Sequence, residues 1–273
     1  MINNFYYKKH KVIKNLGQHF IDDIYIINLI ISSINPKKNQ NIIEIGPGLG
    51  SLTKPLLSIT NRIIAIEIDK NLINFLNKNL NYKKNLTLIN NNVMKINFFN
   101  LSKKFGKPIR IFGNLPYNIS TTLIIYLMKY NLIIKDMHFM LQKELFNRII
   151  AIPNNKYYCR LSIITQYFFK IIKILEVPSF YFKPKPKVDS IFVRLIPNKK
   201  PILKVHNIKN LFFLTQLSFK NRRKMLRNSL SKIFNIKEFI ELGINSKLRA
   251  EDLSIKEYCK LSNHKNLINF NKI

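Results

Sequence analysis

The sequence predicts an α/β chain, with a doubly wound, mostly parallel sheet over residues 1–200 and a small all-α domain over residues 201–273. Three observations lead there. Short apolar runs alternate with stretches of helical length from Asn41 to Gln142. Those runs are apolar at consecutive positions, as strands covered on both faces must be, and consecutive parallel strands need helical crossovers. After Pro197 the strand runs stop and only helical periodicities follow. With 273 residues and 47% hydrophobic content, the chain is long enough to bury a sizeable core.

Taken in order, MINNFYYKKHKVIKN is a basic arm without the continuous apolar stretch of a secretory signal; it reads as a nucleic-acid contact or a frayed end. Ile24, Ile27, Ile30, Ile31 and Ile34 then recur at helical spacing, with Asp22 or Asp23 placed to cap the first turn. After Asn35 and Pro36 come the strand runs NIIEIG, RIIAIEI, LTLINN, PIRIFGNL and DMHFMLQ. SIITQYFFKIIKILEVP and VDSIFVRLI flank the proline-rich FKPKPK, which suggests a loop and a hairpin-like pair closing the sheet edge. NKKPILKV reads as a linker to the helical domain. No stretch approaches the ~20 uninterrupted apolar residues that span a bilayer, so a soluble protein is expected. Cys159 and Cys259 are too far apart for a zinc motif and read as buried, reduced thiols of an intracellular protein.

The charge is the unusual number. Lys and Arg total 46 against 14 Asp and Glu, a formal +32 that should attract polyanions, nucleic acid first and an anionic membrane second. Heavy use of Lys, Asn and Ile offers a second reading, compositional drift in a genome rich in A and T.

The first strand-to-helix turn, IIEIGPGLGSLT, brings backbone close to a ligand through Gly46, Gly48 and Gly50. A G-x-G-x-x-G dinucleotide fingerprint would need glycine where this chain has Ser51, so a strict NAD reading fails. Glu67 ends the second strand about 20 positions after Gly46, where a carboxylate accepts hydrogen bonds from vicinal ribose hydroxyls. Asn92, after the third strand, offers an amide that accepts from an adenine amino group and donates to a ring nitrogen. Together these residues point to an adenosine-type ligand. The bland reading is a tight helix-sheet turn with a surface Glu and a turn-forming Asn.

FGNLPYNIS follows the fourth strand, on the same sheet edge. The exocyclic N6 of adenine is a poor nucleophile, because its lone pair is delocalised into the ring. Two acceptors that hold its N–H groups favour a pyramidal, reactive nitrogen. The side-chain oxygen of Asn114 and the carbonyl of Leu115 or Pro116 are candidates, with Pro116 fixing the turn. Tyr117 is placed to stack on the base. Such catalysis works by positioning and charge stabilisation, without general base, nucleophile or metal.

Two further segments read as polyanion contacts. In FKPKPKVDS, two prolines stiffen a loop that projects Phe182 with Lys183, Lys185 and Lys187; the alternative is a proline-rich edge with a core Phe. In NRRKMLRNSL, Arg222, Arg223 and Arg227 span about one helical turn as a basic face, while Met225, Leu226 and Leu230 supply core contacts.

These stretches resemble the ribosomal RNA adenine N6,N6-dimethyltransferases that modify small-subunit RNA, the KsgA family. The resemblance is carried by NLGQHF (15–20), EIGPGLG (44–50), EID (67–69), GNLPYNIS (113–120), MHFMLQKEL (137–145), FKPKPKVDS (182–190) and NRRKMLRNSL (221–230), nearly the whole chain. It implies a Rossmann-like S-adenosylmethionine-dependent methyltransferase domain and a helical, RNA-binding carboxyl-terminal domain. It also implies a cofactor site at His19, Ile21, Gly46, Glu67, Asn92 and Asn114, and a target adenine held between Tyr117 and Phe182. Two departures stand out. Asn92 occupies a position where the family commonly has Asp, which keeps an acceptor and loses the charge. His19 stands where bacterial members have Asn, acting through its ring or only its backbone.

The resemblance implies dimethylation of two adjacent adenosines in the 3′-terminal hairpin loop of small-subunit rRNA, within an assembling small subunit, by a cytoplasmic monomer. Two rivals are a large-subunit rRNA adenine methyltransferase and an RNA-binding assembly factor with weakened chemistry.

Overall fold

The computed structural model describes residues 5–8, 10–80 and 84–264. Met1–Asn4 and Lys9 of the basic arm lie outside the described residues, as do residues 265–273 at the end of the helical domain. The chain divides into two compact units, residues 1–145 with 171–197, and residues 146–170 with 198–273.

In the first unit, Tyr6–Tyr7 (β1) and His10–Lys11 (β2) form a short antiparallel pair. Phe20–Ile21 (β3) leads into helix Ile24–Ile34 (α1). Asp23 is the cap, its carboxylate accepting from Ile26 N at 3.0 Å, and Asn35 in a left-handed conformation ends the helix. Asp22 instead binds Tyr7 and Lys8. The buried face is Ile26, Ile27, Ile30, Ile31 and Ile34; Ile24, expected on it, is 70% exposed in the first turn.

Every strand run read from the sequence between Asn41 and Gln142 is a strand. These are Asn41–Ile45 (β4), Ile63–Glu67 (β5), Leu86–Asn90 (β6), Ile109–Asn114 (β7) and Ile134–Gln142 (β8). Between them run Thr53–Ile59 (α2), Lys70–Leu80 (α3), Phe98–Phe105 (α4) and Tyr117–Leu127 (α5). Lys143–Ile150 (α6) and Arg160–Phe168 (α7) precede Phe169–Val177 (β9), Phe182–Lys183 (β10) and Ser190–Pro197 (β11). Half of SIITQYFFKIIKILEVP is therefore helix: strand geometry begins only at Phe169, and Leu161, Ile164 and Thr165 recur at helical spacing on the buried side of α7.

The sheet has the order β6-β5-β4-β7-β8-β11-β9. Pairs β4/β5, β5/β6, β4/β7 and β7/β8 are parallel, and β11 is antiparallel to β8. The chain moves outward from β4 to β6, then returns to lay β7 on the other side of β4. That reversal opens a crevice beyond the carboxyl ends of β4 and β7, where ligands bind in open α/β sheets. Gly113 keeps those two strand ends close: a Cβ there would lie 2.3 Å from the Ile45 carbonyl oxygen.

One buried carboxylate ties the returning half of the sheet together. Asp136 in β8, with no exposed surface, accepts from Arg110 of β7 at 2.7 and 3.0 Å and from Arg194 of β11 at 2.6 Å. Burial alone would raise this carboxyl, but the Arg110 and Arg194 guanidiniums and His138 hold it below the ordinary range.

The second unit holds α7 with Ile208–Lys220 (α8), Leu226–Ser229 (α9), Ile236–Glu241 (α10) and Ile255–His264 (α11). Leu211, Leu214, Leu226, Leu230, Phe239 and Leu261 are its buried apolar centre, and Tyr158 and Tyr258 donate their hydroxyls to the carbonyls of Leu253 and Ala250, each at 2.8 Å. The chain enters this unit for the second time at Asn198, beside the expected boundary, whereas residues 146–170, expected in the first domain, cluster with the second. Their ties explain it: Ser162 donates to Arg148 O, Gln166 to Ile149 O and Ala151 O, and Asn198 N–H to Phe168 O. Cys259 is buried, but Cys159 is only half-buried and caps α7 with Ser162. Among the described residues no helix is long and apolar enough to cross a membrane.

Candidate active site

The turn after β4 carries positive φ at Gly46, Gly48 and Gly50 (68°, 58° and 82°), a backbone that side chains with a Cβ rarely adopt. At Gly48 space is also limiting, since a Cβ would meet the Phe20 ring at 3.0 Å. The turn forms one wall of a cavity of about 740 Å³ including its mouth, whose other walls are the 16–21 segment, Glu67 and Asn114–Tyr117. A second cavity, lined by Asn91, Asn92, Val93 and Ile119, shares Gly46, Glu67, Ile68 and Pro116 with the first. His19, Ile21, Gly46, Glu67 and Asn114 line the first cavity, and Asn92 the second.

Glu67 stands on the wall common to both. It is 6% exposed, and its oxygens accept from the backbone N–H of Ile68 (2.9 Å), Asp69 (3.0 Å) and Gly48 (3.3 Å). Burial pushes the carboxyl above its ordinary range, while these backbone donors pull it back down. Asn92 caps a short 3-10 turn, its Oδ1 accepting from Met94 N at 2.9 Å. Nδ2 is left whole as a donor for a ligand, while Oδ1 keeps one of its two lone pairs.

At the end of β7, Asn114 donates Nδ2 to the His19 carbonyl at 2.7 Å, which fixes the amide and turns Oδ1 away as an acceptor with no donor among the described residues. The sequence left the second acceptor open between Leu115 and Pro116. Pro116 O is already taken by Ile119 N (3.1 Å) and Ser120 Oγ (3.0 Å) in the first turn of α5. Leu115 O receives no donor among the described residues, so it is the carbonyl at liberty. Tyr117 hydrogen-bonds Ser190 Oγ at 2.7 Å, and burial raises its phenol, so the ring is neutral. The His19 ring stacks on it at 5.5 Å between centroids, with Nδ1–H donating to Pro184 O at 2.7 Å.

The structure does not project Phe182. β10 pairs Phe182 with Ile21 of β3, and its ring, without exposed surface, belongs to the same apolar cluster as Ile21, Phe112, Met140 and Phe192. The core-Phe alternative describes its place, and Ile21 is buried with it. Lys183, Lys185 and Lys187 are exposed as expected from the loop. In the second unit, Arg223 and Arg227 are exposed, but Arg222 is engaged by Glu251 and by the Lys156 carbonyl. Nor do the three share a helix: α8 stops at Lys220, and a turn with an isolated bridge from Met225 to Arg249 separates it from α9. Met225, expected in the core, is 38% exposed, while Leu226 and Leu230 are buried.

Several residues that build this site carried no assigned role in the sequence. Glu44, 2% exposed in β4 and lining the first cavity, accepts from Thr53 Oγ1 at 2.6 Å; burial, together with nearby Glu67, pushes its carboxyl up to about 8 despite that bond. Its signal was an acid inside an apolar strand run. Gln18 donates to Asp69 at 2.8 Å and accepts from Ile13 N at 2.8 Å, tying the 13–19 segment to the end of β5. NLGQHF and EID held both partners, with nothing local to pair them.

Comparison with known proteins follows the same outline. The family whose sequence model matches is described as ribosomal RNA adenine dimethylase, over residues 9–267. Ribosomal RNA small subunit methyltransferase A of Wigglesworthia glossinidia brevipalpis is 51% identical over 256 residues, covering 93% of this chain and 98% of that protein. The protein of the same name from Buchnera aphidicola subsp. Schizaphis graminum is 50% identical over 257 residues, covering 94% and 93%. Among solved structures, a dimethyladenosine transferase from Plasmodium falciparum superposes with TM-score 0.76 at 28% identity, covering 92% of this chain and 97% of that one. The 23S rRNA methyltransferase ErmE superposes at 0.69 with 20% identity, covering 89% and 97%, a likeness of fold.

Proposed function

This chain belongs to the ribosomal RNA adenine dimethylase family, and from that membership and the site geometry we propose that it dimethylates N6 of two adjacent adenosines in the 3′-terminal hairpin loop of small-subunit rRNA. The observation that carries the reading is the pair of free acceptors at the end of β7, Asn114 Oδ1 and Leu115 O, beside an aromatic ring at Tyr117.

The residues present fit S-adenosylmethionine. A buried carboxylate on the wall common to two cavities suits ribose hydroxyls, the glycine turn admits close approach of backbone, and Asn92 Nδ2 supplies a donor for an adenine ring nitrogen. When bound, the cofactor supplies an electrophilic methyl on sulfur. His19 and Ile21 contribute to the same wall, His19 through its carbonyl tie to Asn114.

Asn114 Oδ1 and Leu115 O accept the two N–H groups of the target N6, which localises its lone pair for attack; Tyr117 stacks on the base and orients it. Phe182 supports this pocket from the core as the strand partner of Ile21. Stacking demands a base removed from its own stack, which an unpaired loop offers at least cost. Lys183, Lys185, Lys187, Arg223 and Arg227 present exposed cations for RNA phosphates, and Arg222 reinforces the second unit through Glu251. On this reading the second unit is an RNA-binding domain, and the protein acts in the cytoplasm as a monomer on the assembling small subunit.

The test is transfer of labelled methyl from S-adenosylmethionine to small ribosomal subunits lacking the modification, followed by nucleoside analysis. N6,N6-dimethyladenosine at adjacent positions of the 3′-terminal hairpin is the expected product. Tight subunit binding with no transfer, beside an active control enzyme, would identify an assembly factor whose chemistry has been lost.

A further inference from the structure

The loop that carries the lysines also carries an aromatic ring that the catalytic reading does not use. Phe180 is 58% exposed, while Phe182, two residues on, is fully buried. Its exposure is built into the loop. The Pro178–Ser190 segment is closed at its base by Ser179 N–H donating to Asp189 Oδ1 at 2.9 Å, and Asp189 O in turn accepts from Lys143 N at 3.1 Å. Within it, Phe182 is pinned to Ile21 by the β10/β3 pair, and Pro184 O by the His19 ring. Tyr181 packs against the core, and the Phe180 ring lies 4.4 Å from the Tyr181 ring at 39°, so a 3-10 turn at Ser179–Tyr181 holds one aromatic inward and its neighbour outward.

The surroundings restrict what such a ring can meet. Lys183, Lys185 and Lys187 are exposed on the same loop, and its one acid, Asp189, is occupied in closing it. A phenylalanine ring offers no hydrogen bond, only an apolar π-face, and it shares its loop with three exposed lysines that form no ion pair among the described residues. The partner that matches both features is a flat base on a phosphate backbone.

We propose that Phe180 is the stacking platform for an unpaired nucleotide of the RNA substrate other than the target adenosine, with the neighbouring phosphates over Lys183, Lys185 and Lys187. The inference rests on the reading of the substrate as RNA. It makes the lysine loop a reader of single-strandedness as well as of charge, because a base inside a duplex has both faces covered by its stacked neighbours. Through Pro184 and His19 the same loop connects to Tyr117, so a nucleotide seated on Phe180 would align its chain toward the methyl-accepting pocket.

The chain contains no tryptophan, which makes Phe180→Trp a unique fluorescent probe at this position. Titration of that variant with a short single-stranded RNA should quench its emission, and a fully paired duplex of the same length or inorganic phosphate should not. In the full chain, Phe180→Ala should raise the Kd for the single-stranded RNA about tenfold, the loss expected for one base stack. Phe180→Trp should bind as tightly as the native chain, and Phe180→Leu as poorly as the alanine variant. Binding of the RNA without quenching, equal Kd for native and alanine forms, or rescue by leucine would overturn the proposal. Rescue by leucine would mean that the position needs only apolar bulk and not a π-face. A native protein that transfers no methyl group would instead refute the function proposed above, since the quenching and Kd measurements do not depend on transfer.

Discussion

The imidazole of His19 lies stacked on the phenol ring of Tyr117, 5.5 Å between centroids and 29° between planes. The same residue accepts Asn114 Nδ2 through its carbonyl and donates its ring N–H to Pro184. One residue, through its carbonyl and its ring, thus joins the wall of the proposed cofactor cavity, the acceptor turn after β7 and the lysine loop. Tyr117 is held on its other edge by Ser190.

Tyr117→Ala should slow methyl transfer by about 10- to 100-fold, the value of one lost base stack, with cofactor affinity unchanged. Tyr117→Phe keeps the ring and loses only the bond to Ser190 Oγ, so its rate should stay within a few-fold of the native enzyme. Single-turnover transfer alongside equilibrium cofactor binding separates the two effects. An alanine variant with native rates on every RNA tried would remove the stacking role.

Asn114→Ala deletes both the free Oδ1 acceptor and the tie to His19. It should lower kcat by roughly 10²- to 10³-fold, as loss of one preorganised polar contact to a transition state does, with a much smaller change in RNA affinity. An effect confined to KM would mean that Asn114 only binds.

Glu67→Ala should act at the other end of the cavity, weakening cofactor binding by about 10- to 100-fold, as expected for hydrogen bonds to a charged acceptor. Methyl transfer at saturating cofactor should be nearly restored. Calorimetric titration with the cofactor and rates at saturation check the two halves of this expectation.

Glu44 makes the first unit sensitive to pH. Burial raises its carboxyl from an ordinary 4.5 to about 8. Between those values the unfolded chain has released the proton and the folded chain still holds it, so rising pH favours unfolding. The native chain should lose thermal stability from pH 5 to pH 8 relative to Glu44→Gln, a neutral isostere that still meets Thr53. Each pKa unit corresponds to about 1.4 kcal/mol, so the difference is measurable by thermal melts across that window. Parallel melting curves for both proteins would show that Glu44 does not titrate there.

Asp136→Ala would leave the buried Arg110 guanidinium without its carboxylate and cost about 3–5 kcal/mol. Arg194 is partly exposed, and its loss leaves Asp136 both hydrogen bonds from Arg110, so Arg194→Ala should cost much less. Urea denaturation of the two variants ranks them.

The alternating layout of strands and helices was legible because it is written locally. Runs such as NIIEI and RIIAIE are buried at every position or nearly so, and the pattern that marks them is the burial itself. The glycine turn was legible too, since three glycines so close together are needed only where backbone must adopt positive φ. Arg222–Arg227 misled for the corresponding reason: their spacing suits a helix, but the pairing of Met225 with Arg249, a partner far along the chain, replaces helix there with a turn. Residues 146–170 belong with the second unit through hydrogen bonds that composition does not reveal.

By itself, the sequence determined which residue types stand at the carboxyl ends of the strands: Gly46, Glu67, Asn92 and Asn114–Tyr117. These follow from local backbone needs and from chemistry carried by single side chains. Only the tertiary structure decided which of their atoms are free. Pro116 O is spent inside α5 while Leu115 O is not, Asn92 has one lone pair of its Oδ1 committed to a cap, and Phe182 is buried while Phe180 is exposed. The physical reason is that a polar atom's availability, and a ring's exposure, depend on partners brought together by strand register and by contacts distant in sequence, such as Ile21 with Phe182 and His19 with Pro184.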